Sequence, residues 1–446
     1  MYIDNYQAYY RQLAEESTLR KAQNKFISLG FTSDLDVFIH WDEEKFNQIL
    51  SSAESCVRLD PKDDLMAAIA SLFTTIADYA LRGLGGEARF SHPGVEQYIL
   101  DHFTYDFGLG GTAAQAAAAL GALNIPVILS VTDRSQPVIQ LLNNPSISGI
   151  LKSELVPIGS LASAASPVLH FIFQYPKGAM IRANGKSQTV PLSNRMIVHN
   201  DETLKNVFLD CDFLQWSERH AEALACCSVS GLNAIVDVQI VNNRLRTLVP
   251  HYSAIKTANP ACLIYFESAH YLNAQVKAAV FNQFAKVVDI FGINEEELID
   301  IASDFGIRTD IDDPDSILRS LRAVADSYTI PGIVLHTKDY SLYYGENLPR
   351  IDLEKGLTLG NLLSGTRALT GKYGSYEDCS RILDYALSER GVNFANQLPE
   401  ADQDRILKLV PSRYIEKPEF TIGLGDTFMA GMLLALMPND SSAPAN

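Results

Sequence analysis

The chain has 446 residues, 47% hydrophobic and 20% charged, an ordinary globular balance too large for one simple core, so a large domain and a smaller one are expected. Its 53 acidic residues outnumber 36 basic ones for a formal net charge of −17, which excludes a surface built to neutralise nucleic-acid phosphates and leaves only a local pocket for a small phosphate. The six cysteines form neither a CxxC pair nor a Cys/His zinc spacing, a pattern that fits a reducing compartment.

Residues 1–25 read as a charged amphipathic helix without the apolar stretch of a signal peptide, and no run of about 18 apolar residues stands out, so a cytoplasmic protein that stays out of the membrane is expected. An apolar strand follows around 25–30 and continues into the alternating DLDVFIHW of 34–41. Residues 43–104 mix helical segments with turn signals such as Gly83-Leu84-Gly85-Gly86. From Gly108 the text reads glycine turn, Ala-rich helix, short loop and buried strand. Short β-rich runs separated by PKG and ANGK turns fill 166–199, as in an antiparallel meander. From about 203 onward ACLIYFES, VVDIFGIN and GIVLHT are strands buried on both faces, with helices between them around 272–284 and 314–327. This alternation predicts an α/β fold: a doubly wound, mostly parallel sheet with helices on both faces, plus a smaller α/β domain. The small polar tail 441–446 is expected to fray.

Five motifs fall at predicted carboxyl ends of strands, where open α/β sheets bind ligands. Gly423-Leu424-Gly425-Asp426 runs straight into an apolar helix, so its backbone amides form an anion site at the positive end of the helix dipole. Asp426 there is either a catalytic carboxylate or a helix cap. Asp34 and Asp36 follow the first strand, as acceptors for sugar hydroxyls or as Asx turns. Gly110-Gly111-Thr112 opens the Ala-rich helix, for close backbone approach to a ligand or simply as a cap. Asn294 and Glu297 have the spacing of a capping box, and equally that of oxygen ligands around Mg²⁺ and its waters. Glu267 ends another strand and is uninformative alone.

Taken in serial order, VLHFIFQYPKG, LSNRMIV, CSVSGLNAI, IYFESA, VVDIFGINEEEL, GIVLHT and GLGDTFMAG resemble the ADP-dependent glucokinase/phosphofructokinase family of the ribokinase-like superfamily, from about Gly30 to Gly431. The resemblance implies a Rossmann-like large domain from 1–30, 105–165 and 200–446, and a lid from 31–104 and 166–199. It implies transfer of the terminal phosphoryl of ADP, with ATP left open as donor, to a sugar hydroxyl. Asp426 becomes the base, and Gly423 and Gly425 supply amides to the transferring phosphoryl. Asn294, His336, Thr337, Gly423 and Leu424 fall to the nucleotide, and Glu267, Glu297 and Asp426 to Mg²⁺. Asp34, Asp36, Gly110, Gly111 and Thr112 fall to the sugar, with Arg195 meeting a phosphate. The partners are small molecules, without nucleic acid or membrane, and the assembly is a monomer or small homo-oligomer.

The sequence also departs from the family pattern. Thr32 and Asp34 stand where the GxNxNxD motif has asparagines, Tyr265 where the HxE motif has histidine, and Thr112 where a GGQ-like loop has glutamine. Two other readings stay open: an ATP-using kinase of a nucleoside or ribose derivative, and a non-catalytic sugar- or nucleotide-binding regulator of the same fold. A dinucleotide-binding dehydrogenase is disfavoured, since no GxGxxG follows the first strand.

Overall fold

The computed structural model describes residues 2–23, 25–59, 64–183, 186–349, 351–399, 401–402 and 404–437; the tail expected to fray lies outside them. The chain divides into two compact units. The large unit comprises Met1–Ser33, Gly111–Ser163 and Thr203–Asn446, and the small unit Asp34–Gly110 and Ala164–Glu202.

The large unit is built on an eleven-stranded sheet among the described residues. Its centre is parallel and runs, in spatial order, Gly332–His336, Ile290–Asn294, Leu263–Glu267, Leu224–Val229, Phe26–Gly30, Val127–Leu129 and Ile147–Leu151. Antiparallel strands flank it: Tyr340–Gly345, Arg405–Pro411 and Ala401–Asp402 on one side, Glu154–Pro157 on the other. The adjacent thiols of Cys226 and Cys227 show why these strands are apolar throughout. Successive side chains of a strand point to opposite faces. Cys226 Sγ reaches Leu433 O at 3.7 Å, on the helix Leu424–Ala435. Cys227 packs instead with Leu248 and Phe281, from the helices Val238–Ala258 and Ala274–Phe284. Both faces are therefore covered, as a doubly wound sheet requires. The five described cysteines are free thiols.

The small unit has a five-stranded mixed sheet in the order Gly86–Arg89, Asn194–His199, Leu169–Tyr175, Asp34–Ile39, Tyr105–Gly110. One face carries Val37, Ile39, Phe171, Phe173, Met196 and Val198, packed with residues of the helices Glu43–Leu59, Asp64–Leu81 and Gly94–His102. Asp64–Leu81 is long and apolar enough by length and composition to cross a membrane, contrary to the expectation that no such run exists. Its Ile69, Leu72, Phe73, Ile76 and Ala80, at helical spacing, are buried in this core.

Two further expectations need correction. Residues 105–110 were assigned to the large domain, but they form a strand that pairs antiparallel with Asp34–Ile39 in the small sheet. Residues 31–33 were assigned to the small domain, but Ser33 N donates to Thr132 Oγ1 (3.0 Å) and Ser33 belongs to the large unit. The 166–199 stretch is also not a simple meander. Leu169–Tyr175 has one antiparallel and one parallel neighbour, and Met180–Ala183 pairs with Lys186–Thr189 in a separate hairpin.

Candidate active site

In the large unit the site is built around the turn before the helix Leu424–Ala435. Gly423 is the N-cap and holds φ = 69°, a left-handed conformation that glycine adopts without penalty. It also lies so close to Gln115 that any Cβ would collide with the amide oxygen. Asp426 is therefore not the cap; it sits in the first turn. Thr427 locks the turn by donating through its hydroxyl to Gly423 O (2.9 Å) and Leu424 O (3.0 Å). The first helix-type amide bond is Thr427 N to Gly423 O, so the amides of Leu424, Gly425 and Asp426 have no intrahelical acceptor. This is the anion-binding end of the helix dipole.

Beside it stands a cluster of acids. A Cβ on Gly425 would lie 3.2 Å from His336 Cε1 and 3.9 Å from Glu267 Oε1, so the turn packs directly on that pair. His336 Nε2 is 2.9 Å from Glu267 Oε1, and its ring stacks on Phe428 with centroids 5.0 Å apart. Burial alone would lower the imidazole pKa, but the charges of Glu267, Glu297 and Glu295 outweigh it and raise the net value. Glu267 Oε2 and the Tyr265 hydroxyl are buried without a hydrogen-bond partner, both packed over Gly292, where a side chain would strike them. Burial beside Glu267 holds the Tyr265 pKa far above the usual phenol value.

Asn294 and Glu297 do form a capping box. Asn294 Oδ1 accepts from Glu297 N at 2.9 Å, while the Glu297 carboxylate accepts from Asn294 N (3.2 Å) and Asn294 Nδ2 (2.8 Å). Capping does not account for everything: burial, and then Glu267, push the Glu297 carboxyl up to about 8. Two carboxylates sharing a buried site without a cation resist joint ionisation. Their donor set, with the unpartnered Glu267 Oε2, suits a hard divalent cation held partly through water. Glu267, Glu297 and Asp426 do not form a tight three-ligand cluster. Among the described residues that geometry belongs to Asp34, Asp36 and His170, whose donor atoms lie within 4.8 Å of one another. Thr337 spends its hydroxyl on its own turn: it donates to Tyr340 O (2.9 Å) and accepts from Asp339 N (3.1 Å) and Tyr340 N (3.0 Å).

The proposed sugar residues divide between the units: Gly111 and Thr112 in the large one, Asp34, Asp36, Gly110 and Arg195 in the small one. Gly111, at φ = 86°, lets the backbone pass Thr32 O, which a Cβ would approach to 2.6 Å. In the small unit a Cβ on Gly110 would lie 2.6 Å from Asp36 Oδ1 and collide with Asp34 Oδ1. His170 sits between carboxylates, with Nδ1 3.3 Å from Asp34 and Nε2 3.2 Å from Asp201. Nε2 donates to Asp201, while Nδ1 meets Asp34 as a contact of opposite charges, and the two carboxylates favour the imidazolium. Burial opposes the charge, but Asp34, Asp201 and Asp36 prevail and raise the pKa to about 9. His199, stacked on His170 at 4.5 Å, is the opposite case. Its Nδ1 accepts from Asp201 N (3.1 Å) and its Nε2 lies 2.6 Å from Glu87, which fixes a neutral tautomer, and burial lowers its pKa.

The conserved region described as ADP-specific Phosphofructokinase/Glucokinase matches residues 25–435 of this sequence. The chain belongs to that family. The ADP-dependent glucose/glucosamine kinase of Pyrococcus abyssi is 22% identical over 96% of this chain and 97% of its own length. The ADP-specific phosphofructokinase of Pyrococcus furiosus is 24% identical over 77% of this chain and 81% of its own. Among solved structures, an ADP-dependent kinase in complex with fructose-6-phosphate and ADPbetaS superposes with a TM-score of 0.81 at 16% identity, covering 99% of both chains, so the fold is shared.

Within this ADP-specific phosphofructokinase/glucokinase fold the large-unit residues named from sequence converge: Gly425 touches His336, His336 bonds Glu267, and Glu297 lies in the field of both. The small-unit set does not wholly converge. Asp34, Asp36 and Gly110 meet, but Arg195 pairs with Gln174, four residues along its strand from His199. Sequence reasoning missed Gln115, which packs on Gly423 and accepts from the Tyr373 hydroxyl at 3.2 Å. It also missed His170, His199, Glu87 and Asp201. Strand alternation was the available signal: His170 interrupts the apolar run VLHFIF at a position of the polar face.

Proposed function

We propose that this chain is an ADP-dependent sugar kinase in which Asp426 takes the proton from the acceptor hydroxyl. The hydroxyl oxygen forms a bond to the terminal phosphorus of ADP, the bond from that phosphorus to the bridging oxygen breaks, AMP leaves, and the proton passes to the Asp426 carboxylate. The first-turn amides at Leu424 and Gly425 offset charge on the transferring phosphoryl. Phosphate oxygens next to Glu267 and Glu297 require a cation, so Mg²⁺, held by these acids and its waters, belongs to the same reading; it would neutralise charge on the phosphates. In this reading the small unit is a lid whose closure excludes water, which otherwise competes as acceptor. Small-molecule partners and a cytoplasmic location accompany the proposal, supported by the net charge of −17 and the free thiols.

The observation that carries it is Asp426 in the first turn of a glycine-capped helix packed on the Glu267–His336 pair, inside a family match spanning 25–435. Asp426→Asn tests it: folding and nucleotide binding persist, and AMP formation with sugar falls roughly 10²–10⁴-fold, the usual scale for a lost general base. Near-wild-type turnover in that variant overturns the assignment.

A further inference from the structure

We infer that the sugar this enzyme accepts is an unphosphorylated hexose, neutral or bearing an ammonium group, and that Asp34 on the polar face of the small sheet excludes sugar phosphates. The inference rests on the reading that Asp34, Asp36 and Gly110 contact the sugar.

The register sets the charges side by side. Gly108, Asp36, His170, His199 and Arg89 are successive partners across five strands, so their side-chain directions share one face. Asp34 lies two residues before Asp36, and Glu87 two before Arg89, on the same face. Asp34 is 2% exposed, Asp36 4% and Asp201 2%. Four acidic side chains (Asp34, Asp36, Asp201, Glu87) thus face two basic ones, His170 and Arg89, so the row is acidic on balance, while His199 is neutral. His170 Nε2 is hydrogen-bonded to Asp201 (3.2 Å) and Nδ1 lies 3.3 Å from Asp34, so the charge of the His170 ring is already faced by two acids before any phosphate arrives. The other basic residue of the His199 strand, Arg195, lies about 13 Å further along at roughly 3.3 Å per residue. A carboxylate accepts hydrogen bonds from hydroxyls or an ammonium and repels a phosphate dianion, and in a buried site salt screens that repulsion little. An amide at position 34 would keep the shape and remove one negative charge.

The test is steady-state AMP formation by the full chain with ADP and Mg²⁺, using glucose, glucosamine and fructose 6-phosphate as acceptors, with calorimetric binding of the same three sugars. The expected result is kcat/KM at least tenfold higher for glucose and glucosamine than for fructose 6-phosphate, with binding in the same order. Asp34→Asn narrows that ratio at least threefold by gaining on the phosphorylated sugar. If that variant does not fold, the wild-type ratio alone decides. Fructose 6-phosphate matching or exceeding the others overturns the substrate class and leaves the kinase reading standing. No AMP from any sugar, with no sugar bound, overturns both.

Discussion

His170 offers the sharpest physical test of the small unit. Its pKa is raised from 6.5 to about 9, because Asp34 and Asp201 flank the two ring nitrogens more closely than burial can offset. A raised pKa means that folding stabilises the protonated ring. That stabilisation is complete below the unfolded value of 6.5 and is lost as pH rises through about 9. The shift of about 2.5 units corresponds to about 3 kcal/mol at 1.36 kcal/mol per unit. Two measurements check it. Proton NMR of the histidine ring Cε1–H signals, assigned by loss of one in His170→Gln, should show a titration near pH 9. Urea unfolding followed by Trp41, which lies in the small unit, in a Trp216→Phe background should show stability falling between pH 6.5 and 9, and His170→Gln should flatten that fall. A ring titrating at or below 6.5, or an unchanged pH profile in His170→Gln, refutes the imidazolium.

Glu297→Gln separates the capping box from the cation site. Glutamine serves nearly as well at the third helical position, so stability should hold. The Mg²⁺ concentration for half-maximal activity should nevertheless rise several-fold, and an identical titration would leave Glu297 as a cap alone. Gly292→Ala places a methyl against Glu267 Oε2 and the Tyr265 hydroxyl. It should weaken Mg²⁺ binding, read by calorimetry in the presence of ADP, while sugar binding is unaffected; unchanged Mg²⁺ affinity would show that Glu267 takes no part in holding the ion.

What could be read directly was local in the chain. The Gly423 turn and the helix it caps, the Asn294–Glu297 box, and the helices at 274–284 and 314–328 all depend on residues within about four positions of one another. Apolar strands between helices likewise announced a sheet covered on both faces. The tertiary structure alone brought His336 to Glu267, 69 residues away, Gln115 against Gly423, and His170 between Asp34 and Asp201. It also decided that 105–110 pairs with Asp34–Ile39 in the small sheet. Strand pairing and register join distant segments through backbone hydrogen bonds whose pattern is the same for any pair of strands, so the partner is chosen by which apolar faces pack together. That choice placed the acidic and basic side chains of the small unit in one row across its sheet.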